Sequence, residues 1–578
     1  MKKLIFLFLI IVSCDKNSNT STYNFTTVFE KSNGTETATY QEIITFYNNL
    51  AKAFPEITID SMGSTDSGKP LHLVTLNPNS SGNNFDKLRK DNRIILINNG
   101  IHPGESDGID ATMLLFRDIV NGKINPPKHT ILVTIPIYNI GGSLNRNSVT
   151  RTNQNGPKEY GFRGNARNYD LNRDFIKNDT KNAKTFIQIF HKVQPDVFID
   201  THVSNGADYQ YTLSHLFTQH NKLGGNLGLY VHQELTPKLE QKLANKNWDI
   251  IPYVNVFNRT PESGFTQFID LPRYSTGYTT LFNTLGVMVE THMLKPYKQR
   301  VKGTYEFIKS IIEITEEDNK KIANLRQSQT KIWKVGDTYP INWEIDSTKS
   351  SQLEFKGYKS EIILSDLTGM QRIKYNKNKP FKKPVEYQNY YKPTTEITIP
   401  KAYIIPQGWH NIIDVLKLNN IKLTTLIKDS IIKVESYKIN SYKTLKNPYE
   451  GHYLHYNTKV KINKKKLQFK KGDYIINTNQ KGIRYLLETL EPEAVDSFFN
   501  WNFFDTILQQ KEHFSPYVWE DKAQLFLRAN PNIQIEYNLK KNLDQNFANN
   551  WYMQLDWLHK KSKHYEKAHM QYPVYRIN

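Results

Sequence analysis

A chain of 578 residues has room for more than one domain and for a sizeable core. Lys and Arg number 76 against 56 Asp and Glu, a formal charge of +20, yet the lysines are scattered among asparagines rather than gathered in one arm. That reads as a solvated basic surface and argues against nucleic acid as a partner, and the single cysteine excludes a disulfide framework.

Met1 to Cys14, MKKLIFLFLIIVSC, sets two lysines ahead of an apolar run from Leu4 to Val12. Such a run is too short for a bilayer, which takes about 20 apolar residues, and reads as a signal peptide. Ile11-Val12-Ser13-Cys14 resembles a bacterial lipobox, in which the cysteine becomes the lipid-carrying first residue of the mature chain. The plainer alternative is an ordinary signal peptide with a coincidental cysteine. On the lipobox reading, residues 1–14 are the signal, residues 15–36 are a polar tether, and the protein is exported to the cell envelope and anchored in its membrane through Cys14.

From Thr37 the pattern turns globular. Ile43, Ile44, Tyr47, Leu50, Ala51 and Phe54 recur at helical spacing before Pro55, and a hairpin is expected around Asp66-Ser67-Gly68. Ile94 to Ile97 reads as a buried strand, followed by the turn Asn98-Asn99-Gly100, then His102 and Glu105. Ser106 can cap a helix in which Ile109, Met113, Leu114 and Phe116 recur. Further strands are expected at Ile131 to Tyr138, in DVFIDTH ending at His202, and in LGVMVE ending at Glu290. Helices over Ala183 to Val193 and Tyr305 to Leu325 lie between or after them. The alternation predicts an α/β fold: a mainly parallel, mixed central sheet with helices on both faces. Residues 142–173 form a long stretch without apolar periodicity, of a kind that is often functional.

In open α/β sheets, ligands bind at the carboxyl ends of the strands. His102, Glu105 and His202 all fall at such ends, and two imidazoles with one carboxylate suit a catalytic zinc that keeps a position for water. HPGE (102–105), the Asn172-Arg173 pair in DLNRD, His202 in DTH and Glu290 in VET together resemble the zinc carboxypeptidase family of the carboxypeptidase A and B type, in family order and over roughly Thr37 to Leu325. The resemblance implies that His102, Glu105 and His202 hold one zinc ion per chain and that Glu290 is the general base. It also implies an arginine for the developing oxyanion, Arg151 with Arg146 as the fallback, and Asn172 with Arg173 for the terminal carboxylate of a peptide substrate. The family carries a tyrosine about 22 residues before the base. Here that place is near Phe268, so Tyr274 and Tyr278 in PRYSTGY are the candidates for the phenol. The side-chain pocket is expected around Arg273 to Thr279, where no unpaired acid predicts a basic preference.

The catalytic domain is thus expected over 37–325. Residues 330–578 show short β-branched and aromatic runs followed by an aromatic-rich helical stretch, and are expected to form a C-terminal β-rich module with terminal helices. Two other readings stand beside the carboxypeptidase: a zinc-dependent deacylase of small N-acyl amino acids, which keeps the metal and changes the bond, and a catalytically inactive binding module. The presence of Glu290 argues against the second.

Overall fold

The computed structural model describes residues 23–79 and 82–578; Cys14 and the signal run lie outside the described residues. The described residues form two compact units, one of 23–332 (without 80 and 81) together with 343–392, the other of 333–342 together with 393–578.

The first unit is built on an eight-stranded sheet. Its strands are β1 (Ile57–Ser64), β2 (Pro70–Leu76), β3 (Arg93–Asn98), β4 (Thr130–Ile135), β5 (Val197–Ser204), β6 (Leu213–Phe217), β7 (Ile250–Pro252) and, after a short strand β8 (Phe265–Thr266) outside this sheet, β9 (Leu285–His292). The order is β1-β2-β4-β3-β5-β9-β6-β7. The centre, β4-β3-β5-β9, is parallel, with Ile95 opposite Val197 and His202 opposite Glu290. The pairs β1-β2, β2-β4 and β9-β6 are antiparallel. All six residues of β3 are buried, as a central parallel strand covered on both faces requires. Each buried aliphatic side chain there contributes about 1.5–3 kcal/mol.

The helix Asp107–Val120 leaves the end of β3 with Ser106 at its N-cap. The Ser106 hydroxyl makes no cap bond and instead donates to the Pro103 carbonyl at 3.1 Å. Asp107 receives the guanidinium of Arg300 at 3.0 Å, a fully buried ion pair beneath the site. The helical stretch expected over Tyr305 to Leu325 is two helices, Tyr297–Glu317 and Asn319–Gln329, meeting at Asp318.

Two sequence boundaries move. The tether expected over 15–36 is structured from Tyr23 onward: Val28–Lys31 is helical with a Thr27/Glu30 capping box, and Phe29 is buried against Tyr297 at a ring distance of 5.9 Å. Two phenylalanines in a polar segment give no periodicity, so burial at this place leaves no pattern in the sequence. The module expected over 330–578 also loses its first hairpin. Residues 343–392 fold with the first unit, because Tyr387 and Gln388 extend β8 in parallel and Phe355, Val385 and Tyr387 share a core with Tyr211 and Phe265.

The second unit holds a six-stranded sheet in which the C-terminal strand Gln571–Ile577 pairs with both Ala402–Ile405 and Ser430–Thr444. Ile404, Val434 and Phe469 form one of its cores, and a separate helical cluster packs Trp519 and Ala523 on Leu555 and Leu558.

Candidate metal centre and substrate pocket

His102 and Glu105 sit on the turn between β3 and the helix Asp107–Val120, and His202 lies near the end of β5. Gly104 between the two ligand candidates is required by close approach, since a Cβ there would meet the Arg151 side chain at 2.6 Å. Among the described residues, His102, Glu105 and His202 form the one cluster whose nitrogen and oxygen atoms all lie within 4.8 Å of one another, and all three are buried. His102 Nδ1 is 3.3 Å from Glu105 Oε1, and His202 Nδ1 is 3.2 Å from Glu105 Oε2.

Each imidazole turns its other nitrogen to a carboxylate. His102 Nε2 donates to Asp170 at 2.9 Å and His202 Nε2 donates to Asp200 at 2.9 Å. Such partners fix ring orientation and raise the basicity of the nitrogen that faces a metal. Asp200 also accepts from the Ser275 hydroxyl, and Asn172 Oδ1 accepts from the Ser275 amide at 3.1 Å, so the start of the helix Ser275–Thr280 braces both sides of the site.

The donor set fits zinc: two imidazoles and a carboxylate are what a catalytic zinc site offers. His102 Nδ1 and Glu290 Oε2 are buried atoms with no hydrogen-bond partner, and unsatisfied buried groups call for such an account. Burial opposes ionisation of Glu105, yet the charges of His102 and Arg151 hold its carboxyl well below the usual carboxylate range. Burial also opposes a charge on His202, but Asp200 and Glu105 hold it well above the ordinary imidazole value. Four carboxylates around two rings stabilise positive charge at this point.

Glu290 stands on β9 beside His202 and is not part of the three-residue cluster. Burial raises its carboxyl above the ordinary range, His202 opposes this, and Glu105 adds to it. A carboxyl so placed is suited to exchange a proton near neutral pH.

These residues line a cavity of about 540 Å³ together with Arg151, Arg163, Asn172, Arg173, Tyr253, Phe268 and Tyr274. Arg151 reaches Glu105 at 3.1 Å. The fallback Arg146 is turned away, pairing with Glu159 at 3.8 Å and donating to the Thr37 and Ala38 carbonyls. Arg173 lies 4.6 Å over the Tyr274 ring and 3.8 Å from Asp170. Tyr274 therefore lines the pocket as expected, whereas Tyr278 does not. Tyr278 is fully buried among Phe175, Phe190 and Phe282 with its hydroxyl against His191 Nε2 at 3.2 Å, because the second turn of a helix braced at Ser275 points into the core. Of the segment Arg273 to Thr279 only Tyr274 lines the cavity; the apolar wall comes from Leu216, Phe257, Phe268 and Met288.

Sequence reasoning missed Arg163, Asp170, Asp200 and Tyr253. Arg163 donates to Asp170 at 2.9 Å and stands 3.6 Å from Glu105. It reaches the site because the long loop folds back, with the Phe162 amide on the Gly142 carbonyl at 2.8 Å and Asn139 on the Arg163 carbonyl at 2.9 Å. The one available signal for Asp170 and Asp200 was their place two residues before Asn172 and His202. Burial, with Glu290 adding to it, pushes the Tyr253 phenol far above its ordinary range, so it remains a hydrogen-bond donor.

A sheet whose strand ends bring two imidazoles and a carboxylate to one point, with a further carboxylate standing free of that cluster beside them, defines a metal-dependent hydrolase. Residues 43–201 match the family model described as zinc carboxypeptidase, so the chain carries a zinc carboxypeptidase domain and is an enzyme of the metallocarboxypeptidase class. The matched segment ends one residue before His202. The chain is 21% identical to Carboxypeptidase 2 of Trichophyton rubrum over 502 residues, covering 81% of this chain and 84% of that one. Carboxypeptidase 2 of Trichophyton equinum is also 21% identical, over 503 residues. Among solved structures, carboxypeptidase A from Helicoverpa armigera is similar at 14% identity and a TM-score of 0.38, covering 53% of this chain and 78% of that one. A carboxypeptidase A described as putative, from Shewanella denitrificans, gives 14% and 0.37, covering 49% of this chain and 69% of that one.

Proposed function

We propose that the enzyme removes residues one at a time from the C-terminus of peptides, with one zinc ion held by His102, Glu105 and His202 and with Glu290 as general base. The observation that carries this reading is Glu290 Oε2, a buried carboxylate oxygen without a hydrogen-bond partner, in the same cavity as Arg173 and Asn172.

Zinc supplies Lewis acidity that lowers the pKa of water and polarises a carbonyl. The chain's own residues do the rest. Arg173, with its guanidinium over Tyr274, offers a fork of donors to the terminal carboxylate, and Asn172 lies beside it. Arg151 offers a fixed cation to the oxygen on which charge develops. Glu290 Oε2 takes the proton of the attacking water and passes it to the leaving amine nitrogen. Tyr253 and Tyr274 are the phenols available at the cavity wall, in place of the tyrosine that Phe268 replaces. The apolar run before Cys14 supports export, and Ile11 to Cys14 supports a lipid anchor at that cysteine, giving the enzyme a place at the membrane surface.

Glu290→Gln tests the base. It keeps size and hydrogen bonding and removes the proton acceptor, so kcat should fall by about 10² to 10⁴-fold while zinc content is retained. A variant with kcat near that of the wild type overturns the assignment.

A further inference from the structure

The hairpin Ser351–Leu364 and Gln371–Gln388 is anchored at one end only. Its base is buried with Phe355, Val385 and Tyr387 in a shared core, but between residues 358 and 380 Ser365 alone is buried. The outer half is a two-stranded ribbon with Ile363 opposite Arg372 and Leu364 opposite Gln371. Such a ribbon is marginal in water on its own. Its end nevertheless carries four large apolar side chains: Ile362 is 70% exposed, Leu364 69%, Leu367 93% and Met370 69%. Scattered exposed apolar residues are ordinary, but four gathered at one projecting end mark an interaction site.

We propose that this tip inserts into the interface of an anionic lipid bilayer. Three features favour lipid over a protein partner. The apolar side chains gather at a projecting end, Ile362 and Leu364 on one face of the strand and Leu367 and Met370 in the turn, which suits a fluid medium that closes around them. Exposed Lys359 and Lys374 stand just behind them and exposed Arg372, opposite Ile363, stands level with them, so that three long cationic side chains can reach back to an anionic headgroup layer. From Ile362 to the turn the ribbon advances about 10 Å at about 3.3 Å per residue, matching the about 5–10 Å to which interfacial segments bury.

The turn also satisfies much of its own backbone, as lipid demands. The Ser365 amide donates to the Met370 carbonyl at 2.9 Å, the Gly369 amide to the Ser365 carbonyl at 2.9 Å, and the Thr368 amide to the Ser365 hydroxyl at 3.2 Å. Two acids lie close by. Glu361 is met by Lys379 at 3.6 Å, and exposed Asp366 at the turn is the one acid that insertion would carry past the headgroups, a cost set against four apolar side chains.

The test places an environment-sensitive fluorophore on Leu367→Cys in a full-length Cys14→Ser background, so that the tip reports its own surroundings whatever the N-terminus does. A probe on Ile427→Cys, also exposed, is the control. Vesicles of phosphatidylglycerol should blue-shift and at least double the tip emission, leave the control unchanged, and act far more weakly when made of phosphatidylcholine. Arg372→Glu with Lys374→Glu should raise the lipid concentration for half-maximal change at least tenfold, while hydrolysis of a soluble peptide stays at the parent rate and shows the variant folded. A tip probe that keeps its aqueous emission on protein sedimented with the vesicles overturns the proposal. So does an emission change that follows protein concentration without lipid, which would assign the tip to a second copy of the chain.

Discussion

Asp200 lies 2.9 Å from His202 Nε2, and this contact decides which nitrogen of the ring faces Glu105. If His202 is a zinc ligand, Asp200 is its orienting partner, and the two positions should fail differently. His202→Ala should abolish stoichiometric zinc. Asp200→Asn should keep the site and weaken zinc binding by about 10- to 100-fold, read by competition with a chelator. Full zinc content in His202→Ala would remove His202 from the ligand set.

The two tyrosines with contrasting surroundings give a second prediction. Tyr253 lines the cavity and Tyr278 is buried in the aromatic core. Tyr253→Phe should lower kcat/KM by about tenfold, the value of one hydrogen bond to a charged or polarised group. Tyr278→Phe should leave kcat/KM unchanged and act only on stability. The reverse pattern would put the Tyr278 phenol at the substrate.

Much of the site was legible because its residues sit where strands end. A run of four aliphatic residues such as Ile94 to Ile97 in β3 has few alternatives to a buried strand, and polar residues at or just past the carboxyl end of such a run lie at a sheet edge; hence His102 and Glu105 past β3, and His202 and Glu290 two residues before the ends of β5 and β9, could be found. Arg163 could not, since it reaches Glu105 through the folding of a loop that has no periodicity. Tyr274 and Tyr278 could not be told apart for a related reason: spaced four apart they would share one face of a helix, but Tyr274 is the extended N-cap before the helix Ser275–Thr280, so its ring goes to the cavity while that of Tyr278, inside the helix, goes to the core. The hairpin of 351–388 looks like any other β-rich run, and what ties it to the first unit, a two-residue pairing with Phe265 and Thr266 and a core shared by Phe355, Val385 and Tyr387 with Tyr211, joins segments far apart in the sequence.

Stability should carry a signature of Asp110. Burial pushes its carboxyl from 3.8 up to about 7, partly offset by Thr37 and the Tyr297 phenol and reinforced by Asp107. Between these values the folded chain keeps a proton that the unfolded chain has lost, so the favourable contribution present below about pH 4 is lost as pH rises through 7. The full change is up to about 4 kcal/mol. Asp110→Asn should flatten this part of the profile, seen as a smaller difference between urea midpoints at pH 5 and pH 8. Equal differences in variant and wild type would show that Asp110 titrates normally.

In the proposed reaction Arg173 is the group that reads a free terminal carboxylate, and matched peptides ending in an acid or an amide test this most directly. Wild-type enzyme should strongly prefer the acid and release single C-terminal residues. Arg173→Ala should lower kcat/KM on the acid by at least about 10²-fold, as loss of a charge-assisted pair predicts, and barely change the already poor rate on the amide. Equal slowing of both peptides, or a wild type that cleaves amidated or internal bonds as readily, would contradict the carboxypeptidase reading.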